Sequence, residues 1–194
     1  MSGVPKSRRS ESPFEAHHQL IKLRKSITEL LFNKFGFSEE KYKKQIDHYY
    51  ESHKTNSNID EIMERYNKRL SNYVGWFIDK ERDAVMDMIR KIESEFVFGN
   101  SIYISDTPAK EDEFRERRTH INAAISGCYV LKHEIQYIIM SLPVDINKYK
   151  TYAENLEKQI ALFKGVRKAD NKRLRPRSKD KKNKNQQENL AEEV

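Results

Sequence analysis

Apolar residues recur along the chain at spacings of three and four, the period of a helix with one buried face. Ser12-Pro13-Phe14-Glu15 opens the first such run: serine caps, proline suits the first helical position, and the glutamate returns a hydrogen bond. Leu20, Leu23, Ile27, Leu30 and Leu31 then mark one face until Gly36, a residue that tolerates positive φ, so the pattern predicts a helix from Pro13 to Phe35. A shorter segment begins at Ser38 with Glu39 and Glu40 at the positive end of its dipole and carries Tyr42, Ile46, Tyr49 and His53 on one side.

The third run is the longest. Asn58 and Glu61 form a capping pair, and Ile59, Ile62, Tyr66, Leu70, Tyr73, Phe77, Ala84, Met88, Ile92 and Phe96 keep the rhythm up to Gly99. This predicts one helix of about forty residues, with Gly75 and the charged stretch 79–83, where Glu81 falls on the seam, as the places where it could bend. Asn100 to Asp106 alternates and reads as an extended crossover rather than a paired strand. Thr107-Pro108 starts a fourth helix striped by Phe114, Ile121, Ile125, Cys128, Leu131, Ile135, Ile138 and Leu142, and Pro143 stops it. Asp145 caps a last helix with Tyr149, Tyr152, Leu156, Ile160 and Phe163 on its inner face. The fold class is therefore all-α: an elongated four-helix bundle with one extra short helix. Residues 1–11 form a basic, disordered start, 12–170 the bundle, and 171–194 a disordered, Lys-rich tail.

Charge changes the picture of where function lies. The chain is +7 overall, but 164–184 alone holds +9, the first ten residues +3 and the last ten −3, which leaves 11–163 at −2. A near-neutral bundle thus carries an appended cationic block, a composition that suits an anionic partner. The candidate nucleic-acid-binding residues are Lys164, Arg167, Lys168, Lys172, Arg173, Arg175, Arg177, Lys179, Lys181 and Lys182. Lys110, Arg115, Arg117 and Arg118 form a second basic patch, for which the plainer reading is a solvated face paired with Glu111, Glu113 and Glu116. No RNA-recognition signature or zinc-finger spacing accompanies these cations, so binding would be led by shape and charge, with RNA favoured.

Candidate chemistry is sparse. The six histidines sit in no metal-ligand spacing, there is no phosphate-loop glycine pattern, and one cysteine excludes an internal disulfide. Neither catalysis, metal nor cofactor is expected; an enzyme would need polar groups converging inside the bundle. The lone Cys128 and Gly127 lie in a run of small residues that invites close approach by a bulky neighbour, for which Trp76 is the expected filler. Tyr49, Tyr50 and Tyr103 lie off the stripes and suit a partner surface. No apolar run has signal-peptide or membrane-span length, so a cytoplasmic location is expected.

The last helix adds a resemblance. Ile146-Asn147-Lys148-Tyr149, Glu157-Lys158-Gln159-Ile160-Ala161-Leu162 and Lys164-Gly165-Val166-Arg167-Lys168-Ala169-Asp170 resemble the closing helix of small bacterial four-helix-bundle proteins: the accessory variability proteins of diversity-generating retroelements and their ribosomal intervening-sequence relatives. The resemblance implies an oligomeric, basic, non-enzymatic bundle that binds a reverse transcriptase and its template RNA. The chain departs from that pattern in its forty-residue helix, its extra short helix and its hydrophilic tail. The alternative is a protein-only scaffold whose tail serves solubility.

Overall fold

The computed structural model describes residues 13–104 and 110–174, and these form five helices: α1 (Pro13–Phe32), α2 (Glu39–His53), α3 (Ile59–Ser101), α4 (Lys110–Ser141) and α5 (Lys150–Leu174). The protein is all-α and bundle-like. α1, α3, α4 and α5 close a four-membered ring in which every adjacent pair packs together. Side-chain bonds fix the directions as antiparallel throughout: Arg24 to Glu93 between α1 and α3, Glu95 to His120 between α3 and α4, Arg167 to Asn122 between α5 and α4, and Gln159 to the Ala16 carbonyl between α5 and α1.

The expected stripes of α1, α4 and α5 form the core, but α3 enters it through Phe77, Ile92 and Phe96 together with Val74, Ile78, Val85 and Ile89, which lie one position off the expected stripe, while Tyr73 of that stripe is exposed. Leu20, Leu23 and Ile27 of α1, Ile89, Ile92 and Phe96 of α3, Ile121, Leu131 and Ile138 of α4, and Leu156, Ile160 and Phe163 of α5 are all buried in one cluster. Phe96 and Phe163 stack across the bundle with centroids 4.7 Å apart. Each such side chain, fully buried, contributes about 1.5–3 kcal/mol, which outweighs the modest helix propensity of a sequence this rich in β-branched and aromatic residues.

Several boundaries move. α1 ends at Phe32, and the chain turns through Lys34 (φ 48°), Phe35 (φ 56°) and Gly36 (φ 66°) in a 3-10 turn, so the left-handed reversal begins two residues before the glycine. Burial of Phe35 compensates, since a non-glycine residue resists this conformation by about 1–2 kcal/mol. Ser38 caps α2 by accepting from the Lys41 amide. Asn58 makes no side-chain cap at the start of α3. Gly99 does not stop α3 but lies in its last turn, where a Cβ would come within 3.2 Å of the Arg117 carbonyl and 3.0 Å of the His120 Cβ. α5 runs through Leu174, four residues beyond the expected boundary at 170 and into the start of the segment read as a basic tail. The start of α4 near Pro108 lies outside the described residues.

α3 spans 43 residues without a break, about 64 Å at 1.5 Å per residue. The helix runs unbroken through Gly75 and 79–83, the places where it could have bent, as the reading of one helix has it. Its first buried residue is Val74; of the preceding fifteen positions, Leu70 still packs against the core, and α2 covers part of the rest. There the rings of Tyr49 and Tyr66 stack at 3.7 Å, with His53 on the other side of Tyr49 at 4.1 Å, and α2 has no fully buried residue. The α1–α2 turn is fastened to the α4–α5 turn by Ser38 N–H to the Pro143 carbonyl (2.8 Å), by Lys41 Nζ to the Val144 carbonyl (2.7 Å), and by an antiparallel bridge between Phe37 and Val144.

Gly127 is the close-approach point anticipated for it, but its neighbour is Ile92, whose Cγ1 would stand 2.7 Å from an added Cβ. Trp76 is not the filler. It is 58% exposed, because its position on α3 lies outside the seam, beside Tyr73, while Phe77 is the residue that meets Tyr137 of α4.

Candidate nucleic-acid interface

The antiparallel register of α4 on α5 decides which cations share a surface. Lys132 pairs with Glu157, Lys164 Nζ donates to the Tyr129 hydroxyl (2.7 Å), Arg167 to the Asn122 side-chain carbonyl (2.8 Å), and Arg118 to that of Asn171 (3.4 Å). Extending this ladder brings two clusters that are fifty residues apart in sequence to the same end of the bundle. Lys168, Lys172 and Arg173 on α5 and Arg115 and Arg118 on α4 are exposed there, with Arg167 and Lys110 half-buried. Arg115 is shared with Asp112, at 3.5 Å. Arg175, Arg177, Lys179, Lys181 and Lys182 continue the chain past α5 and lie outside the described residues.

Arg117 departs from the expected surface patch. It is buried at 5% exposure, occupying the stripe position between Phe114 and Ile121. Its Nε donates to Asp170 Oδ2 at 2.8 Å, its Nη1 to the Gly99 and Ile102 carbonyls at 2.9 and 3.4 Å, and its Nη2 to Asn100 Oδ1 at 3.4 Å. The guanidinium thus collects carbonyls from the end of α3, which a helix terminus leaves unpaired, and binds them to a carboxylate of α5. Periodicity alone cannot separate this residue from its neighbours Arg115 and Arg118; the signal was the missing apolar residue in the stripe of α4, matched by Asp170 inside a basic run.

Beside this knot, 100–104, Pro13, the start of α4 and the end of α5 line an open cleft of about 640 Å³, with Tyr103, Lys110, Lys172 and Arg173 among its residues. Tyr103 is 82% exposed. Of the other tyrosines proposed as surface residues, Tyr50 is exposed and Tyr49 is consumed by the α2–α3 stack.

Other polar groups do not gather. Glu81 and Glu134 face each other across α3 and α4, and burial together with a hydrogen bond to the Glu134 carboxylate pushes Glu81 up to about 7. That pair lies seventeen residues along α4 from Arg117, roughly 25 Å at 1.5 Å per residue. Cys128 is buried, and burial pushes its thiol up to about 12. His120 Nδ1 contacts Glu95 at 2.8 Å, His17 lies against Phe96, and His18 and His48 are on the surface. Among the described residues no group of three His, Cys, Asp or Glu side chains could hold a metal ion, and no helix is long and apolar enough to cross a membrane.

Fold and surface together define an all-α, bundle-like protein with a cationic end. Comparison with family models, curated proteins and solved structures finds no match to this chain.

Proposed function

We propose that this chain is a non-enzymatic, nucleic-acid-associated accessory protein that holds RNA, or DNA, by charge at the α4–α5 end of its bundle. One observation carries the reading: two basic clusters separated by fifty residues share one end of the fold, and 175–184, with six basic residues against Asp180, follows it in the sequence. Cations on packed helices are presented at fixed spacing, which favours a repeating polyanion over scattered counterions. A reverse transcriptase as the protein partner rests on the resemblance of α5 alone.

The test compares three forms of the protein for RNA binding by fluorescence anisotropy: the full chain, a chain ending after Leu174, and the full chain with Lys168, Lys172 and Arg118 changed to Glu. A cut at Gly165 would remove Asp170 and the bundle with it, so Leu174 is the informative end. If the helical cations and the block beyond them both contact phosphate, each change weakens binding. With about six phosphate contacts the affinity of the full chain falls on the order of a thousandfold between 50 and 200 mM salt. RNA affinity that ignores salt would sink the proposal.

A second reading has its own observation. Tyr73, Trp76, Tyr137 and Met140 form an exposed aromatic face on α3 and α4, at 41, 58, 52 and 80% exposure, of the composition that protein partners dock against. In a protein-only scaffold, nuclease treatment of purified complexes leaves them intact.

A further inference from the structure

The cleft at the bundle end combines features that charge alone does not require. Tyr103 stands in non-helical backbone and is 82% exposed, so its ring is accessible to a ligand. The backbone beneath it is held: Arg117 binds the carbonyls of Gly99 and Ile102, the second of these directly preceding Tyr103, and is itself fixed by Asp170. Lys172 and Arg173, from the last turn of α5, line the same cleft, and none of the three carboxylates in the first turn of α4 does. Its volume of about 640 Å³ falls within the roughly 300–1,000 Å³ of small-molecule sites.

We propose that this cleft takes one unpaired nucleotide, its base stacked on the Tyr103 ring and its phosphate held by Lys172 and Arg173. The proposal rests on the nucleic-acid reading above and narrows it to single-stranded substrate. A planar ring beside fixed cations matches the alternation of base and phosphate along a single strand. A base inside a duplex already stacks on its neighbours, so it has no free face to offer the ring. Arg117 acts here as a positioning residue: its donors are committed to protein acceptors, and its part is to fix the segment that carries Tyr103. No base-edge reader is required, so the site tolerates any sequence.

The experiment measures binding of the full chain to a short fluorescein-labelled RNA of mixed sequence, as a single strand and annealed to its complement, at one fixed salt concentration. The single strand binds more tightly. Tyr103→Ala weakens single-strand binding on the order of tenfold and leaves duplex binding unchanged, whereas Tyr103→Phe, which keeps the stacking face, binds like the wild type. Lys172→Gln lowers the salt dependence by about one phosphate contact. Because Tyr103 is exposed, its variants keep the helical circular dichroism of the parent. If Tyr103→Ala binds the single strand as the parent does, or loses both forms equally, the cleft is overturned while the charge-led reading stands. If the parent chain binds neither form, both fall together.

Discussion

Substituting Arg117 by Met keeps an unbranched apolar stem in the α4 stripe and removes the charge and all its donors. Asp170, whose side chain is 7% exposed, would then retain, among the described residues, only the Arg173 cation, at 3.9 Å and itself 68% exposed, and the Gly99 carbonyl would lose the Arg117 donor. Breaking a buried pair in this way costs about 3–5 kcal/mol, far more than an exposed ion pair of about 0–1 kcal/mol. For a chain of this size each kcal/mol moves Tm by about 2–4 °C, so the variant should melt on the order of 10 °C lower. The companion Arg117→Met/Asp170→Leu exchanges the pair for apolar contact and leaves only the α3 carbonyls unsatisfied, at about 1–3 kcal/mol. The double variant is thus expected to be more stable than the single one by about 2 kcal/mol. Urea titration followed by circular dichroism measures both. Equal stability of single and double variants, or a single-variant loss below about 1 kcal/mol, would refute the assignment of Asp170 as a charge held by Arg117.

Further outcomes follow from the helix seams. Gly75→Ala meets no atom within 4 Å and should stabilise by about 0.5–1 kcal/mol through helix propensity, whereas Gly127→Ala drives its Cβ against Ile92 and should destabilise; thermal melts showing the same sign for both would contradict the seam geometry. Glu81 holds its proton more tightly folded than unfolded, so its contribution to stability is complete below about pH 4.5 and is lost as pH rises through about 7. Glu81→Gln, which stays neutral, should therefore gain on the parent across that window by about 1–2 kcal/mol, a figure reduced for the partial exposure of the site; a gain independent of pH in paired melts would exclude the carboxylate. Cys128 should react with a thiol reagent at a rate set by opening of the fold, so that its labelling in native protein is orders of magnitude slower than in urea, and fast native labelling would place it outside the core.

Periodicity made the core legible because the packing of amphipathic helices is a one-dimensional signal: the stripe of α4 from Phe114 to Leu142 is buried position by position. Ends were read less well. The α1 terminus depends on Phe35 finding a buried seat in a left-handed backbone, which tertiary contact decides and local pattern cannot. The charged surface was misdivided for a related reason. Asp170 looked like one acid in a solvated tail, while its meaning depends on Arg117, fifty-three residues away, and on the register that sets them together. Trp76 shows the opposite error: size suggested a filler, but its angular position on α3 faces outward.

The length of α3 carries a consequence for the protein in motion. Hydrogen bonds along a helix are uniform, yet the fully buried anchors begin at Val74, while Ile62, Tyr66 and Leu70 are only half-covered, Leu70 at the edge of the core and Tyr66 by Tyr49 of α2. Amide protons before Val74 should accordingly exchange through openings that leave the bundle intact, at free energies well below that of global unfolding. One unbroken rod therefore has two melting tiers, and the arm can swing, fray or refold on its own while the cationic end of the molecule stays in register.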